Sequence, residues 1–435
     1  TTRSFLHQRI LNWNIAQNWF QPKKRELKKS IVLPDGNWIK FKIDADHMVS
    51  ISGSELINLS SSFQQSDPRS FMVFTGSTLG RDRSVTVINS IAYNAMTENL
   101  VEIGIKITGE ENGVLDANDK ILFYGRGSSG IDLDIDKIDH HQNIYFSENT
   151  YWLLIPQDSS LRGKRVTYLD SHSSPSLTLD YATSYIHILN DVYNPFKSGL
   201  AWTGPSFGRG ASYTLIPTLN DVKTSVNADF EIAIRGSSTD IEYIQNPRHI
   251  IDVYLNSRDD LKTNFNYSGL SKQIKTFTVS GSELQDEVNL VYLDNNSSSS
   301  YSLPHFDHAT IKYGRKLNAE NSPFEFFAPI HSNSVAFTLT GSSLPSVWDI
   351  THITEPKITV VEESGDEYTL SVDLPVDTLA RFIVFIEEDV FPITELEHVT
   401  NHEFNVLRNQ NPGVDHLVIG PEEFRNASQV LVDHR

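Results

Sequence analysis

Short apolar segments with a period of two residues recur along most of this chain, and they constrain its fold more than any other feature. Ile39, Phe41 and Ile43 alternate with polar residues after a Pro-Asp-Gly turn sequence. The same alternation returns in many short segments, for example at 230–234 and 251–255. Because successive side chains of a strand point to opposite faces of a sheet, the pattern indicates half-buried strands. The sequence therefore predicts a mainly β protein.

The length and the spacing of these segments predict a multidomain chain. The 435 residues leave room for about three domains of roughly 150 residues each. Ser52 and Glu55 have the spacing of a capping box, which predicts one short helix. Short strands separated by polar turns are typical of a jelly-roll-like β-sandwich. The predicted order is a basic leader at 1–30, an N-terminal β-rich domain at 31–182, the jelly-roll-like sandwich at 183–345, a small β domain at 346–405 and the start of an α/β domain at 406–435.

The last segment has the pattern of a strand followed by a helix. Residues 414–419 are a compact apolar run, and Gly420 and Pro421 then suit the beginning of a helix. One strand and one helix cannot cover their own apolar surfaces, since a parallel sheet carries helices on both faces. We therefore expect the first βα unit of a truncated α/β domain, with a decoration packed on the preceding domain as the alternative. The side chains expected to face the strand are those of Phe424, Ala427, Val430 and Leu431.

Composition excludes several classes of function. The net charge of −19 argues against nucleic-acid binding, which needs a basic face. No run approaches the roughly 18 consecutive apolar residues of a membrane span. Cys is absent, which excludes disulfides, a thiolate zinc site and a cysteine nucleophile within these residues. No cofactor is evident from the sequence.

An acidic segment before His140 and His141 is the one candidate metal site. The first three carboxylates alternate with apolar residues, so along a strand they would project from one face. Hard oxygen ligands arranged in this way could bind calcium. A half-exposed strand with an acidic outer face explains the same pattern and is the preferred interpretation. The candidate ligands are Asp132, Asp134, Asp136 and Asp139.

Two further features concern the predicted sandwich. Trp202, Tyr213 and Tyr267 are aromatic residues that could offer a stacking surface to a sugar. Sequence alone does not separate exposed aromatic residues from core ones. The Asn- and Ser-rich tract at 295–300 predicts a flexible loop between two strands.

Six segments carry motifs that follow one another in a recognisable order. They are 38–43 with Leu56, then 67–69 leading to 74–76, Asp116 and Asp119 ahead of 121–125, Tyr145 with 151–153, then 347–351, and finally 414–435. Together they resemble the type IX secretion sortases, the PorU-like branch of the gingipain-type cysteine peptidases. The resemblance covers nearly the whole chain. One departure is at 44–48, where that family commonly has a Gly-containing turn.

The resemblance implies a function for a larger protein. Members of this family are cysteine peptidases that remove the C-terminal sorting domain from exported cargo and join the cargo to surface lipopolysaccharide. It implies an exported protein at the bacterial cell surface or outer membrane, with cargo proteins and other secretion-complex components as partners. The family's catalytic His and Cys lie beyond Arg435, so no catalytic residue is assigned here. This chain alone is therefore expected to be the non-catalytic N-terminal region.

Two other functions are compatible with the sequence. One is a secreted gingipain-like protease, which is less favoured because the long β region is unlike a short propeptide. The other is a surface adhesin or carbohydrate-binding β-protein without peptidase activity. A His and a Cys encoded downstream of Arg435 would favour the sortase, whereas another β repeat would favour the adhesin.

Overall fold

The structure is a computed structural model that describes residues 34–76, 100–134, 137–143, 146–171, 174–197, 201–237, 249–328, 334–375, 379–399, 418 and 420–434. Within these ranges the chain forms thirty β-strands and two α-helices. The predicted mainly β, multidomain fold is confirmed, with strands arranged in several sheets. The predicted basic leader at 1–30 lies outside the described residues. None of the described helices has the length and apolarity needed to cross a membrane.

The first unit consists of two packed sheets and a hairpin. Its strands are β1 Gly36–Ile43, β2 His47–Ser52, β3 Met72–Thr75, β4 Val101–Ile103, β5 Lys106–Thr108, β6 Lys120–Gly125, β7 Gly130–Asp134, β8 Lys137–His141 and β9 Asn149–Pro156. In one sheet β1 pairs with β9, and β3 and β4 extend it; in the other, β2 pairs with β6 and β6 with β5. Apolar side chains of both sheets, including Phe41, Val49 and Phe123, share one core. In β2, β3 and β6 consecutive residues are buried, so these strands are covered on both faces rather than half-buried.

The predicted short helix is present in this unit. Helix α1, Gly53–Leu59, begins after Ser52, whose side chain accepts a hydrogen bond from the backbone N–H of Glu55. The donor–acceptor distance is 3.2 Å. Such a cap satisfies one of the backbone donors that the first turn of a helix leaves without a partner.

The second unit is a β-sandwich. The strands of this part of the chain are β10 Thr167–Leu169, β11 Leu177–Leu179, β12 Tyr181–Leu189, β13 Ser212–Leu215, β14 Thr218–Leu219, β15 Ala228–Gly236, β16 His249–Leu255, β17 Leu261–Tyr267, β18 Lys272–Val279, β19 Glu287–Val288, β20 Val291–Asn295 and β21 Pro304–Lys316. One sheet has the strand order β12-β21-β15-β18, and the facing sheet has the order β13-β20-β16-β17. Ile232, Val253 and Phe265 lie in the core between them.

The third unit shares a sheet with the second. The remaining strands are β22 Phe324–Ala328, β23 Ser334–Thr340, β24 Ser346–Asp349, β25 Lys357–Thr359, β26 Val361–Ser364, β27 Glu367–Asp373, β28 Ala380–Phe385, β29 Phe391–Pro392 and β30 Glu397–Val399. Strands β10, β25, β24, β28 and β22 continue the sheet of β12, and β11, β23, β27 and β26 form the opposing sheet. Thr183 and Phe327 are the register pair that joins β12 to β22. The predicted domain boundaries stay predictions. Strands of the second and third units pair within one sheet, so the sheets do not mark where one domain ends and the next begins.

The first and third units are in direct contact. Met48 and Leu122 of the first unit pack against Trp348, Ile383 and Phe385 of the third. The chain also returns to its start, because β30 pairs with β1 and β29 pairs with β2. Both features fix the position of the first unit relative to the rest of the protein.

The C-terminal helix α2, Arg425–His434, lies where the sequence predicts a helix. Its expected strand at 414–419 lies outside the described residues, apart from Val418. Phe424, Val430 and Leu431 are exposed, Val430 to 71%. Their exposure gives no support to a helix packed on the preceding domain, and the α/β unit itself remains a prediction.

This exposure predicts fast amide exchange along α2. An isolated helix shorter than about 12–15 residues is marginal in water, because most helical stability comes from burying an apolar face. We expect peptides covering 421–434 to exchange much faster than peptides covering the buried strand β28. Hydrogen exchange followed by mass spectrometry measures the difference. Equal protection of the two segments would mean that α2 packs against the preceding domain.

Candidate binding cleft

The outer face of β12, β21, β15 and β18 is polar. Residues directly opposite each other on antiparallel strands lie on the same face of the sheet, so the register defines rows of side chains. One row contains His187, Thr310, Glu231 and Thr276, and the next contains Tyr185, Lys312, Asp229 and Thr278. The alternate residues Ile186, Ile188, Ile232 and Ile234 point into the sandwich core. The alternation that builds the sandwich thus also builds a regular array of polar groups.

This face is the floor of a cleft of about 880 Å³. One wall is the β7–β8 hairpin, whose His140 ring stacks on the ring of His187 with centroids 3.9 Å apart. Trp202 lines the cleft and is 45% exposed. The cleft therefore lies between the first unit and the sandwich, with an aromatic side chain accessible within it.

A compact charge cluster lies in the floor. Asp307 Oδ1 is 2.7 Å from Lys272 Nζ and 2.8 Å from His308 Nδ1, and Arg235 Nε lies 3.5 Å from Asp307 Oδ2. The side chains of Asp307 and His308 are only 12% and 13% exposed. Burial pushes the pKa of Asp307 upward, but hydrogen bonds from His308 and Lys272 outweigh it and bring the pKa to about 2. Asp307 is therefore a carboxylate at neutral pH, held in place by its neighbours.

His187 occupies the centre of the floor as a neutral group. Its Nδ1 lies 3.1 Å from the Thr310 hydroxyl. Burial, together with repulsion from His140, His308 and Lys272, lowers the pKa of His187 to about 3. The imidazole is therefore uncharged at neutral pH and can act as both a hydrogen-bond donor and an acceptor.

The four predicted calcium ligands are not all on one strand. β7 and β8 form a hairpin in which Asp132 lies opposite Asp139. The Asp132 carboxylate makes a buried ion pair with Arg126, and Asp139 lines the cleft. Asp136 lies outside the described residues, as does the side chain of Asp134. Within the described ranges no group of three or more His, Cys, Asp or Glu side chains is placed to hold a metal ion, and calcium binding stays a prediction.

Calcium is expected to leave the melting temperature nearly unchanged, because Arg126 already neutralises Asp132. A specific site at a hundredfold excess of calcium over its dissociation constant would add about 2.7 kcal/mol of stability. Thermal unfolding with and without calcium measures this. A clear upward shift that disappears in the Asp134→Asn, Asp136→Asn double variant would instead establish a calcium site.

Of the three aromatic residues proposed for stacking, only Trp202 lines the cleft. Tyr213 stacks between Phe207 and Phe306, and its hydroxyl accepts a hydrogen bond from Asn190. Burial raises the pKa of Tyr267, whose ring packs on His249. Tyr213 and Tyr267 therefore belong to the packing of the sandwich.

A second crevice of about 420 Å³ adjoins the first and contains a buried ionic cluster. Arg381 is 2% exposed. It donates hydrogen bonds to Glu325 at 2.8 Å, to the Tyr124 hydroxyl at 2.7 Å and to Asp46 at 3.3 Å. Asp46 and Tyr124 come from the first unit, whereas Glu325 and Arg381 come from β22 and β28. We call these four residues the interdomain clamp, since they connect the first and third units.

The sequence and the fold were compared with known proteins. No protein-family model matches the chain, and no curated protein matches it significantly. Two of the solved structures found are family 36 carbohydrate-binding modules. One, from a multidomain xylanase of the Trinervitermes trinervoides hindgut metagenome, has 12% identity and a TM-score of 0.19, covering 30% of this chain and 95% of its own. The other, in complex with calcium and xylotriose, has 9% identity and a TM-score of 0.20, covering 29% and 98%. Scores this low do not establish a common fold.

A third solved structure covers 85% of this chain. It is dimeric latent PorU from Porphyromonas gingivalis, with a TM-score of 0.66 and 15% sequence identity. The match covers 85% of this chain and 33% of that chain, so the present sequence spans about a third of the length of PorU. At this identity the match concerns the fold. The chain therefore has a fold similar to part of PorU.

Proposed function

We propose that this chain is the non-catalytic, β-rich region of a PorU-like sortase of a type IX secretion system. The observation that carries the proposal is the fold shared with PorU over 85% of the chain. The order of the motifs between 38–43 and 347–351 adds independent support. The proposed location is the bacterial cell surface, at the outer membrane.

The complete protein would remove C-terminal sorting domains from exported cargo and join the cargo to surface lipopolysaccharide. A cysteine thiolate would attack the scissile carbonyl, and a histidine would accept and return the proton. The nucleophile would lie outside these 435 residues, which contain no Cys.

The role proposed for the present region is positional. The interdomain clamp and the apolar contact between Met48, Leu122 and Trp348 hold the first and third units together. A scaffold held in this way can present cargo, or partner proteins of the secretion complex, in a fixed orientation to a peptidase domain. Precise orientation is a major contribution to catalysis.

The test uses the full gene product in its own bacterium. Deletion of the gene should leave C-terminal sorting domains on exported cargo, as measured by mass spectrometry of surface proteins. Complementation with the full gene should remove them, whereas a variant with the downstream cysteine replaced by alanine should not. Normal cargo processing in the deletion strain would contradict the proposal and favour the adhesin alternative.

The purified 435-residue chain is expected to cleave no peptide and to leave thiol-directed probes unreacted. The physical reason is that no thiolate nucleophile is available in this sequence. A fluorescent-peptide assay and a maleimide probe measure the two outcomes. Cleavage that persists after rigorous purification, and is absent from a heat-inactivated control, would show a catalytic group of another kind.

A further inference from the structure

We propose that the cleft floored by β12, β21, β15 and β18 binds a neutral oligosaccharide. The inference is independent of the proposed secretion role, because it depends only on the groups that line the cleft.

The floor differs from an ordinary solvated sheet face. Outward-facing charged side chains on an antiparallel sheet normally extend into water. Here Asp307 and His308 are about nine-tenths covered and are fixed by each other and by Lys272. Thr310 is also buried. A ligand would therefore meet hydrogen-bonding groups whose positions are already set, which lowers the entropic cost of binding.

The chemistry of the lining fits a sugar. Glu231 accepts hydrogen bonds, Lys312 donates them, and Thr276 does both, as the hydroxyls of a sugar require. Trp202 adds an exposed aromatic surface, and aromatic rings combine a large apolar area with low conformational entropy. An extended peptide would instead need apolar pockets for alternate side chains. Ile274 and Trp202 are the exposed large apolar residues among those described in the lining.

The charge balance selects neutral over acidic ligands. Among the described residues, three lysines and five carboxylates line the cleft, and these eight side chains together carry a formal charge of −2. Lys272 is already paired with Asp307. Phosphorylated or uronate-rich glycans would therefore meet net repulsion, whereas uncharged sugars would not.

The test is an array of neutral and acidic oligosaccharides probed with the purified chain, followed by calorimetric titration of the neutral glycans that bind. Trp202→Ala is expected to weaken binding about tenfold or more. Thr276→Arg should also weaken binding about tenfold or more, because the longer side chain would occupy the space above the cleft floor. Thr276 is exposed on β18, so this substitution leaves the core packing unchanged. Tyr168→Ala is the matched control, since Tyr168 is 70% exposed on β10 and does not line the cleft.

Thermal unfolding of each variant separates lost binding from lost folding. Three outcomes would overturn the proposal: no neutral glycan binds the wild-type chain, acidic glycans bind preferentially, or binding is unchanged in both folded cleft variants. Binding of extended peptides in competition with any glycan would point to a peptide site instead.

Discussion

Replacement of Arg381 by methionine is expected to destabilise the protein by about 3–5 kcal/mol. The guanidinium is buried between Glu325, Asp46 and the Tyr124 hydroxyl. Methionine would fill much of the same space but remove the cation that Glu325 and Asp46 share, and a buried charge that loses its counter-ion is costly. Urea unfolding of the variant and the wild type measures the loss. Since the clamp joins two units, the loss should appear in the transition of both.

Two further variants make this prediction specific. Arg162 is about half exposed and lies 3.9 Å from Asp67, so Arg162→Met should cost less than about 1 kcal/mol. Adding Glu325→Gln and Asp46→Asn to Arg381→Met should recover part of the stability, because both negative charges that lost their counter-ion are then removed as well. A loss below 1 kcal/mol in Arg381→Met, or no recovery in the triple variant, would mean that the clamp does not stabilise the fold.

The sequence predicted the strands well because their signal is local. The alternation at 39–43 is sufficient to identify β1. Ser52 and Glu55, three residues apart, are sufficient to identify the start of α1, because the Ser52 side chain accepts a hydrogen bond from the Glu55 backbone. The clamp was not predicted, since Asp46 and Arg381 are separated by 335 residues. No local pattern indicates that two such distant charges will meet.

The cleft was missed for a related reason. His187, Thr310, Glu231 and Thr276 become a row only through the register of four strands. Trp202 was identified as a candidate, but the sequence did not distinguish it from Tyr213 and Tyr267, which are packed into the sandwich. Whether each of these aromatic side chains is exposed or packed depends on contacts with residues far away in the sequence.

Part of the Asn- and Ser-rich tract at 295–300 is buried, and its predicted flexibility stays a prediction. It connects β20 and β21 as expected, but the side chains of Asn295, Ser297 and Ser302 at this connection are buried. Asn295 donates to the backbone of Phe207 at 2.9 Å, and Ser302 lies 2.9 Å from His249 Nδ1. Small polar residues are usually found at the surface, but the hydrogen bonds of these three side chains are satisfied inside the protein.

His187 is expected to make stability fall steeply as the pH drops below neutrality. Its pKa is about 3 in the folded protein and about 6.5 in an unfolded chain. The unfolded state therefore binds an extra proton between these values, and stability falls by up to about 1.4 kcal/mol per pH unit. The contribution is fully present above pH 6.5 and is lost as the pH falls towards 3. Between pH 7 and pH 4 the loss from this group is roughly 3 kcal/mol.

The measurement is the stability difference between the wild type and His187→Asn at pH 7, 6, 5 and 4. Asparagine can keep a hydrogen bond to Thr310 but does not titrate, so the advantage of the wild type should shrink by roughly 3 kcal/mol across this range. Asp307, with a pKa of about 2, loses its contribution mainly below pH 4 and so stays outside the window. Thr310→Val removes the hydrogen bond but keeps the buried imidazole, and its pH dependence should match that of the wild type. A stability difference between wild type and His187→Asn that stays constant with pH would show that His187 binds its proton equally well in the folded and unfolded states. The conclusion that His187 is neutral in the cleft floor would then be wrong.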